Sequence, residues 1–284
     1  MGRVLTYLSF VRFSHSVFAL PFALAGAVLA ARHVAITWPA VAWILVAMVG
    51  ARSAAMGFNR IVDARTDALN PRTANRELPR GAMSTIEAAL FVVASSAVFV
   101  FASWRLSPLC LWLSPIALAI VFWYSLAKRY TSYTQMFLGL AVAVAPVGGW
   151  LAVGGRGGSE PWILALAIGT WVGGFDVLYA CQDLEFDRAH GLQSIPVRFG
   201  VPASLRISRV MHVVTVAALL ALPFVTPLPR IYEVGVIAVV APMLGYEQSL
   251  VRATDLSQVK RAFDLNGYVG ILYFLVLAVS VYVG

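Results

Sequence analysis

The sequence predicts an all-α membrane protein of about nine transmembrane helices. Two observations carry that expectation. Of 284 residues, 60% are hydrophobic and only 12% charged, with mean hydropathy +0.82, against roughly 25% charged in an ordinary soluble domain. The apolar residues also gather in continuous runs of about 20, the length that crosses a ~30 Å hydrocarbon core as a helix. Backbone groups in lipid find no water, so such runs satisfy themselves internally as helices. A barrel would instead show short alternating segments separated by turns. Composition excludes a soluble globular protein, a disordered chain, a coiled coil and a disulfide scaffold, and nothing in it points to nucleic acid or to an obligate protein partner.

The expected spans cover residues 14–32, 36–58, 86–103, 107–127, 134–154, 161–182, 206–225, 231–251 and 264–283. The first, preceded by Arg3 and Arg12, has the outline of a signal peptide. Its apolar stretch is too long for one, and eight more spans follow. The second carries Arg52 and ends in the acidic stretch Asn59–Asp67. The fourth ends at Lys128-Arg129, one turn after Tyr124. The sixth contains Asp176 and runs into Asp183, Glu185 and Asp187. Glu233 opens the eighth, and Glu247 reaches the interface at its other end. The whole chain, 1–284, is expected to form one polytopic domain, with the loop segments 59–85 and 183–205 carrying the two acidic clusters.

Nine spans put the termini on opposite sides. Sixteen of the 21 Lys and Arg residues then fall on the N-terminal side and four on the other, with Arg52 inside a span. The positive-inside rule places the N-terminus in the cytoplasm. The net charge of +8 is therefore one-sided, which suits an anionic leaflet or an anionic substrate reaching the site from that side. Cys110 and Cys181 sit in or beside separate spans and form no metal spacing. The histidines, His15, His33, His190 and His212, do not pair either and are expected in packing or interfacial roles.

The acids are few, thirteen in all, and unevenly placed. Asn59, Asp63 and Asp67 are spaced i, i+4, i+8, one stripe on a helix. Arg52 lies two turns deeper on nearly the same face. Tyr179, Asp183 and Asp187 repeat the spacing, with Asp176 one turn deeper. Carboxylates four apart on a helix repel by a few tenths of a kcal/mol, so two such pairs at one membrane face call for a compensating cation. Mg²⁺ is a hard ion bound through one or two carboxylates and substrate phosphates. Two pairs facing each other would hold two such ions with a diphosphate between them. The segment Asn70–Gly81 adds Arg72, Arg76 and Arg80 in a loop punctuated by Pro and Gly, and arginine grips phosphate with a planar fork.

These stretches resemble the motifs of the UbiA superfamily of intramembrane prenyltransferases. Asn59, Asp63 and Asp67 match its N-x-x-x-D-x-x-x-D motif. The run Arg72-Thr-Ala-Asn-Arg-Glu-Leu-Pro-Arg-Gly81 is similar to its R-T-x-N-R-P-L-P-x-G sequel, with Glu77 where proline is common. Asp176, Tyr179, Asp183 and Asp187 match D-x-x-Y-x-x-x-D-x-x-x-D, and Tyr124 to Thr131 is similar to Y-x-x-x-K-R-x-T. Within the family, Phe13–Phe22, Tyr179–Arg188 and Ser194–Gly200 are similar to the branch that prenylates aromatic acids for quinone synthesis, menaquinone or ubiquinone. That branch includes the 4-hydroxybenzoate enzymes and those taking 1,4-dihydroxy-6-naphthoate.

The resemblance implies a helical bundle in the cell inner membrane, around a cavity open to the cytoplasm and sideways to lipid. It implies a Mg²⁺-dependent polyprenyl transfer. The head of a polyprenyl diphosphate would be held through Mg²⁺ on Asn59, Asp63, Asp67, Asp183 and Asp187. Arg72, Arg76, Lys128 and Arg129 would offset the remaining charge. Phe58, Tyr124 and Tyr179 would face the allylic cation, Arg52 would clamp the carboxylate of the aromatic acid acceptor, and Asp63 or Asp176 would remove the ring proton. Homogentisate-, haem- or chlorophyll-type acceptors are the alternatives within the family. A secondary transporter is the alternative outside it, although transporters place their sites near the midplane and here the acids collect at one surface.

Overall fold

The computed structural model describes residues 3–11 and 13–283, with backbone alone for residues 3–5, 8 and 13–19. Arg12 and the side chain of His15 lie outside the described residues. In chain order the helices are α1 (Arg3–Phe10), α2 (Phe13–Ala30), α3 (Trp38–Leu69), α4 (Thr85–Leu106), α5 (Pro108–Ala127), α6 (Thr134–Ala152), α7 (Glu160–Ala180), α8 (Leu184–Ala189), α9 (Ile195–Ala221), α10 (Arg230–Gly235), α11 (Ala241–Leu250) and α12 (Val259–Val283). Extended pairing among the described residues is a single bridge, Arg252 with Asp255.

Seven helical stretches are long and apolar enough to cross a membrane, beginning at Trp38, Thr85, Pro108, Thr134, Glu160, Ile195 and Val259. The described part of α2 is shorter, Leu20–Ala30. The expected eighth span is broken at its centre, where Val236–Val240 forms a π turn between α10 and α11. Pro242 follows it and has no N–H for the Ala238 carbonyl, so the ladder rearranges there.

Local chemistry sets the ends. Ser84 and Glu87 form a reciprocal capping box at the start of α4. Ser107 both ends α4, donating its N–H to the Ser103 carbonyl, and starts α5, accepting from Cys110 N–H. One residue thus turns the chain. In α9 the backbone kinks at Gly200, φ +77°, a conformation glycine adopts freely.

The outer surface is apolar, with Leu90, Val93 and Ile116 each more than half exposed, as lipid-facing residues are. Exposed Trp38, Trp104, Trp112 and Trp162 ring the ends of α3, α4, α5 and α7 away from the acidic clusters. Exposed Tyr130, Tyr133 and Tyr246 lie towards the other face. Aromatic rings so placed mark the two interfaces of a bilayer.

Inside, Trp171 is fully buried between Phe22 and Tyr273, edge to face with both. Its indole N–H donates to Asn266 Oδ1 at 2.7 Å. His212 has the packing role expected of it, its ring bridging the Trp171 carbonyl and the Gln248 amide. Glu247, expected at the interface, is wholly buried. The helices meet backbone to backbone at small residues: a Cβ on Gly149 would overlap the Ala23 carbonyl of α2, and one on Gly139 the Gly169 carbonyl of α7. Both cysteines are free thiols.

The segments 59–85 and 183–205 differ from the loops expected of them. At ~1.5 Å per residue the 32 residues of α3 span about 48 Å, well beyond the ~30 Å core. The helix therefore continues past residue 59 and carries the first acidic stripe out of the apolar layer as a rigid rod, leaving only 70–84 as loop. In 183–205, α8 and the first turns of α9 take up most of the segment.

Candidate active site

The helical extension of α3 presents Asn59, Asp63 and Asp67 on one face, with Asp63 and Asp67 buried. The chain then doubles back. Asn70 Oδ1 accepts from Arg72 N–H, and Thr73 Oγ1 donates to the Asp67 carbonyl at 3.0 Å. That turn lays Arg76 over the helix end, where its Nη1 donates to both oxygens of Asp67 at 2.8 and 2.7 Å. Glu77, the departure from the family motif, is buried and accepts from Ser9 Oγ at 2.6 Å, so it ties this loop to α1.

The second stripe is not one continuous helix. α7 ends at Ala180, Cys181–Asp183 tightens into a 3₁₀ turn, and α8 restarts at Leu184. The turn changes the angle between Tyr179 and Asp187 from that of an ideal i, i+8 stripe. Both still reach the same cavity, together with Asp176 and Asp183. The loop after α8 is pinned to the end of α5, where Gln193 N–H donates to the Lys128 carbonyl at 2.8 Å.

Arg72 joins the two halves. From the loop after α3 its Nε and Nη2 fork onto Asp183 at 3.2 and 2.6 Å, and Nη1 donates to the Tyr179 hydroxyl at 2.9 Å. Lys128, at the end of α5, donates to Asp63 Oδ2 at 2.7 Å, and Asn59 Nδ2 donates to the same oxygen at 3.2 Å. The acidic ends of α3 and α7–α8 therefore face one cavity of about 320 Å³.

Its wall holds five aspartates, residues 63, 67, 176, 183 and 187, and five cations, Arg52, Arg60, Arg72, Arg76 and Lys128. Neither sign is in formal excess. The aspartates do not converge on one another: no three His, Cys, Asp or Glu side chains among the described residues gather at metal-binding spacing. Asp63, Asp67 and Asp183 are each held by a cationic side chain instead. Asp63 Oδ1, Arg76 Nε and Arg52 Nε are among the buried polar atoms of the wall without a hydrogen-bond partner.

Beyond Arg52 the cavity continues into an apolar one of about 680 Å³ along α3, α5 and α6. Arg52, Tyr124 and Leu138 belong to both walls, so they stand at the junction. The half-exposed Ile116 and Leu140 line this groove, which opens sideways between helices.

Of the residues singled out from the sequence, Arg129 stands apart. It is exposed and outside the cavity wall, its guanidinium donating to the Val62 carbonyl. Phe58 is absent from the wall and packs on Phe122 at 4.6 Å. Arg60, Gln135 and Phe263 are among the wall residues that the sequence did not single out. Arg60 donates to the Phe10 carbonyl. Gln135, buried, accepts the Ile195 N–H that starts α9. Phe263 of α12 packs on Tyr179 at 4.7 Å. A buried Gln one residue into an apolar helix and an Arg beside Asn59 were visible signals; Phe263, one aromatic among many, gave none.

Fold and site together define a polytopic membrane protein that gathers carboxylates, arginines and a lysine at one face, above an apolar groove. The UbiA prenyltransferase family model matches residues 19–277. The 4-hydroxybenzoate octaprenyltransferase of Aliivibrio salmonicida is 31% identical over 245 residues, 86% of this chain and 85% of that protein. Its namesake from Vibrio parahaemolyticus is 33% identical over 230 residues, 81% and 80%. The apo structure of a UbiA homolog from Aeropyrum pernix K1 superposes with TM-score 0.85 at 35% identity, covering 94% of this chain and 98% of that one. A UbiA homolog from Archaeoglobus fulgidus bound to DMAPP and Mg²⁺ shares the fold, TM-score 0.76 at 18% identity, covering 96% and 99%. The chain belongs to the UbiA prenyltransferase family and is a multi-pass membrane enzyme of that family.

Proposed function

We propose that the protein transfers a polyprenyl group from polyprenyl diphosphate to an aromatic carboxylic acid of the 4-hydroxybenzoate or 1,4-dihydroxy-6-naphthoate type, with Mg²⁺, in quinone biosynthesis. The observation that carries this is the Arg72 fork, which closes both acidic clusters around one cavity at the mouth of an apolar groove. The curated relatives named for 4-hydroxybenzoate support the acceptor class. The excess of Lys and Arg supports a cytoplasmic N-terminus and a site facing the cytoplasm from the inner membrane.

The wall is charge-balanced, so a diphosphate adds negative charge that must be met by cations arriving with it. The donor set fits Mg²⁺: Asn59, Asp63, Asp67, Asp183 and Asp187 offer oxygens, and Asp63 Oδ1 is buried with no partner. Bound there, the ion supplies Lewis-acid neutralisation of the leaving diphosphate.

Arg72, Arg76 and Lys128, now on carboxylates, are the side chains that turn to the phosphate oxygens. Their charge stabilises the diphosphate as the allylic C–O bond breaks and the electron pair leaves with oxygen. The prenyl chain lies in the groove, whose apolar wall keeps water from the allylic cation. Tyr124 and Tyr179 present ring faces to it. Arg52, with Nε unpartnered at the junction, holds the acceptor carboxylate and turns the electron-rich ring to the cation. A new C–C bond forms, and Asp63 or Asp176 takes the ring proton.

Purified protein incubated with Mg²⁺, one polyprenyl diphosphate and a panel of aromatic acids tests this by product mass. A prenylated acid of the proposed type is expected. Products from homogentisate-type acceptors alone would reassign the acceptor, and saturable flux in proteoliposomes without any product would end the enzyme assignment.

A further inference from the structure

A glycine inside a helix costs about 1 kcal/mol relative to alanine, so each one invites a packing reason. Gly139 and Gly149 of α6 have theirs in the neighbouring backbones described above. Gly148 does not: nothing lies within 4 Å of where its Cβ would stand. Gly245 and Gly267 face open space as well, but outside the groove wall, whereas Gly148 lines it. Three helical turns separate Gly148 from Phe137, so both lie on one stripe of α6. Phe137 meets Trp123 of α5 edge-on at 6.2 Å, which means that the open space beside Gly148 faces α5. Leu138, at the junction with the polar cavity, is ten residues away, or about 15 Å along the helix.

We propose that Gly148 determines the length of prenyl chain the enzyme accepts. This rests on the prenyl-transfer function above. With the diphosphate fixed in the polar cavity, each isoprene unit of the donor has a set depth in the groove. A short donor ends before the level of Gly148. A long one that follows the groove to its far end passes between α5 and α6 there, and the missing side chain leaves that passage open. A bulky residue closes it without touching the reacting groups. Replacing a helix-interior glycine also raises helix propensity, and no backbone stands in the way.

The test compares the wild type with Gly148→Leu and Gly148→Trp on one acceptor, with donors graded from the five-carbon diphosphate to octaprenyl diphosphate. For the shortest donor kcat/KM stays within about twofold of wild type, and for the octaprenyl donor it falls by about tenfold or more. From a donor mixture, product masses shift to shorter chains. Equal loss on every donor in both variants, or an unshifted profile in both, overturns the gate while leaving prenyl transfer standing. A wild type that transfers no prenyl group from any donor removes the proposed function, and the gate with it.

Discussion

Arg72 makes two motifs into one site. Its fork on Asp183 and its contact with the Tyr179 hydroxyl cross from the loop after α3 to the end of α7. Replacing it with alanine is expected to raise the donor KM about tenfold or more, and lysine to restore only part, since a point charge cannot fork; steady-state kinetics with varied donor checks both. Asp63→Ala and Asp183→Ala are expected to abolish turnover while the protein still inserts and folds. Near-normal activity in either would disconnect that cluster from the chemistry. Arg52→Ala should raise KM for the acceptor far more than for the donor, and an unchanged acceptor KM would place the carboxylate elsewhere. The spacing i, i+4, i+8 made Asn59, Asp63 and Asp67 legible because α3 stays helical through them. The cationic partners were legible only as types. That Lys128 takes Asp63 and Arg72 takes Asp183 depends on contacts between distant parts of the chain, and Arg76 reaches Asp67 only through the turn after Asn70; spacing encodes neither. The same holds for Arg129, read with Lys128 as one basic patch although it turns away to Val62.

The helices divide by how their ends are made. Hydropathy located the apolar centres of α3 to α7, but it underran α3, because the polar stripe at its end reads as loop while the backbone remains helical. It also missed the 3₁₀ turn at Cys181–Asp183, for a change of winding leaves no compositional trace. α10 and α11 read as a single span, since Val236–Val240 is as apolar as any helix. The contacts that hold the bundle predict a sharp asymmetry between adjacent residues of α6. Gly149→Leu forces the α2 backbone away and is expected to destabilise by roughly 1–3 kcal/mol or more. Gly148→Leu, one residue earlier, meets open space and leaves stability near that of the wild type. Thermal unfolding in detergent, read for both variants together, separates them; equal loss in both would contradict the close approach of α2 and α6 at Gly149.

The molecule is polarised. Carboxylates and cations gather at one face, exposed tryptophans ring the other, and a lipid-open groove joins the polar cavity to the apolar layer. This polarity was readable from the charge count. The closure of the two clusters around one cavity was only inferable from their matched position on one side of the membrane. A topology scan follows from it. Reporter fusions after Arg76 and after Gln193 should report a cytoplasmic location, and one after Arg156 the opposite side; the reverse pattern would invert the proposed orientation. EDTA is expected to stop turnover and Mg²⁺ to restore it, with product formation as the readout. The most direct measurement is equilibrium binding of a non-reactive polyprenyl diphosphate analogue, with Mg²⁺, to the wild type and to Asp67→Ala and Asp187→Ala. One site built from both acidic ends predicts that either substitution weakens binding by about tenfold or more; affinity unchanged by the loss of either aspartate would contradict it.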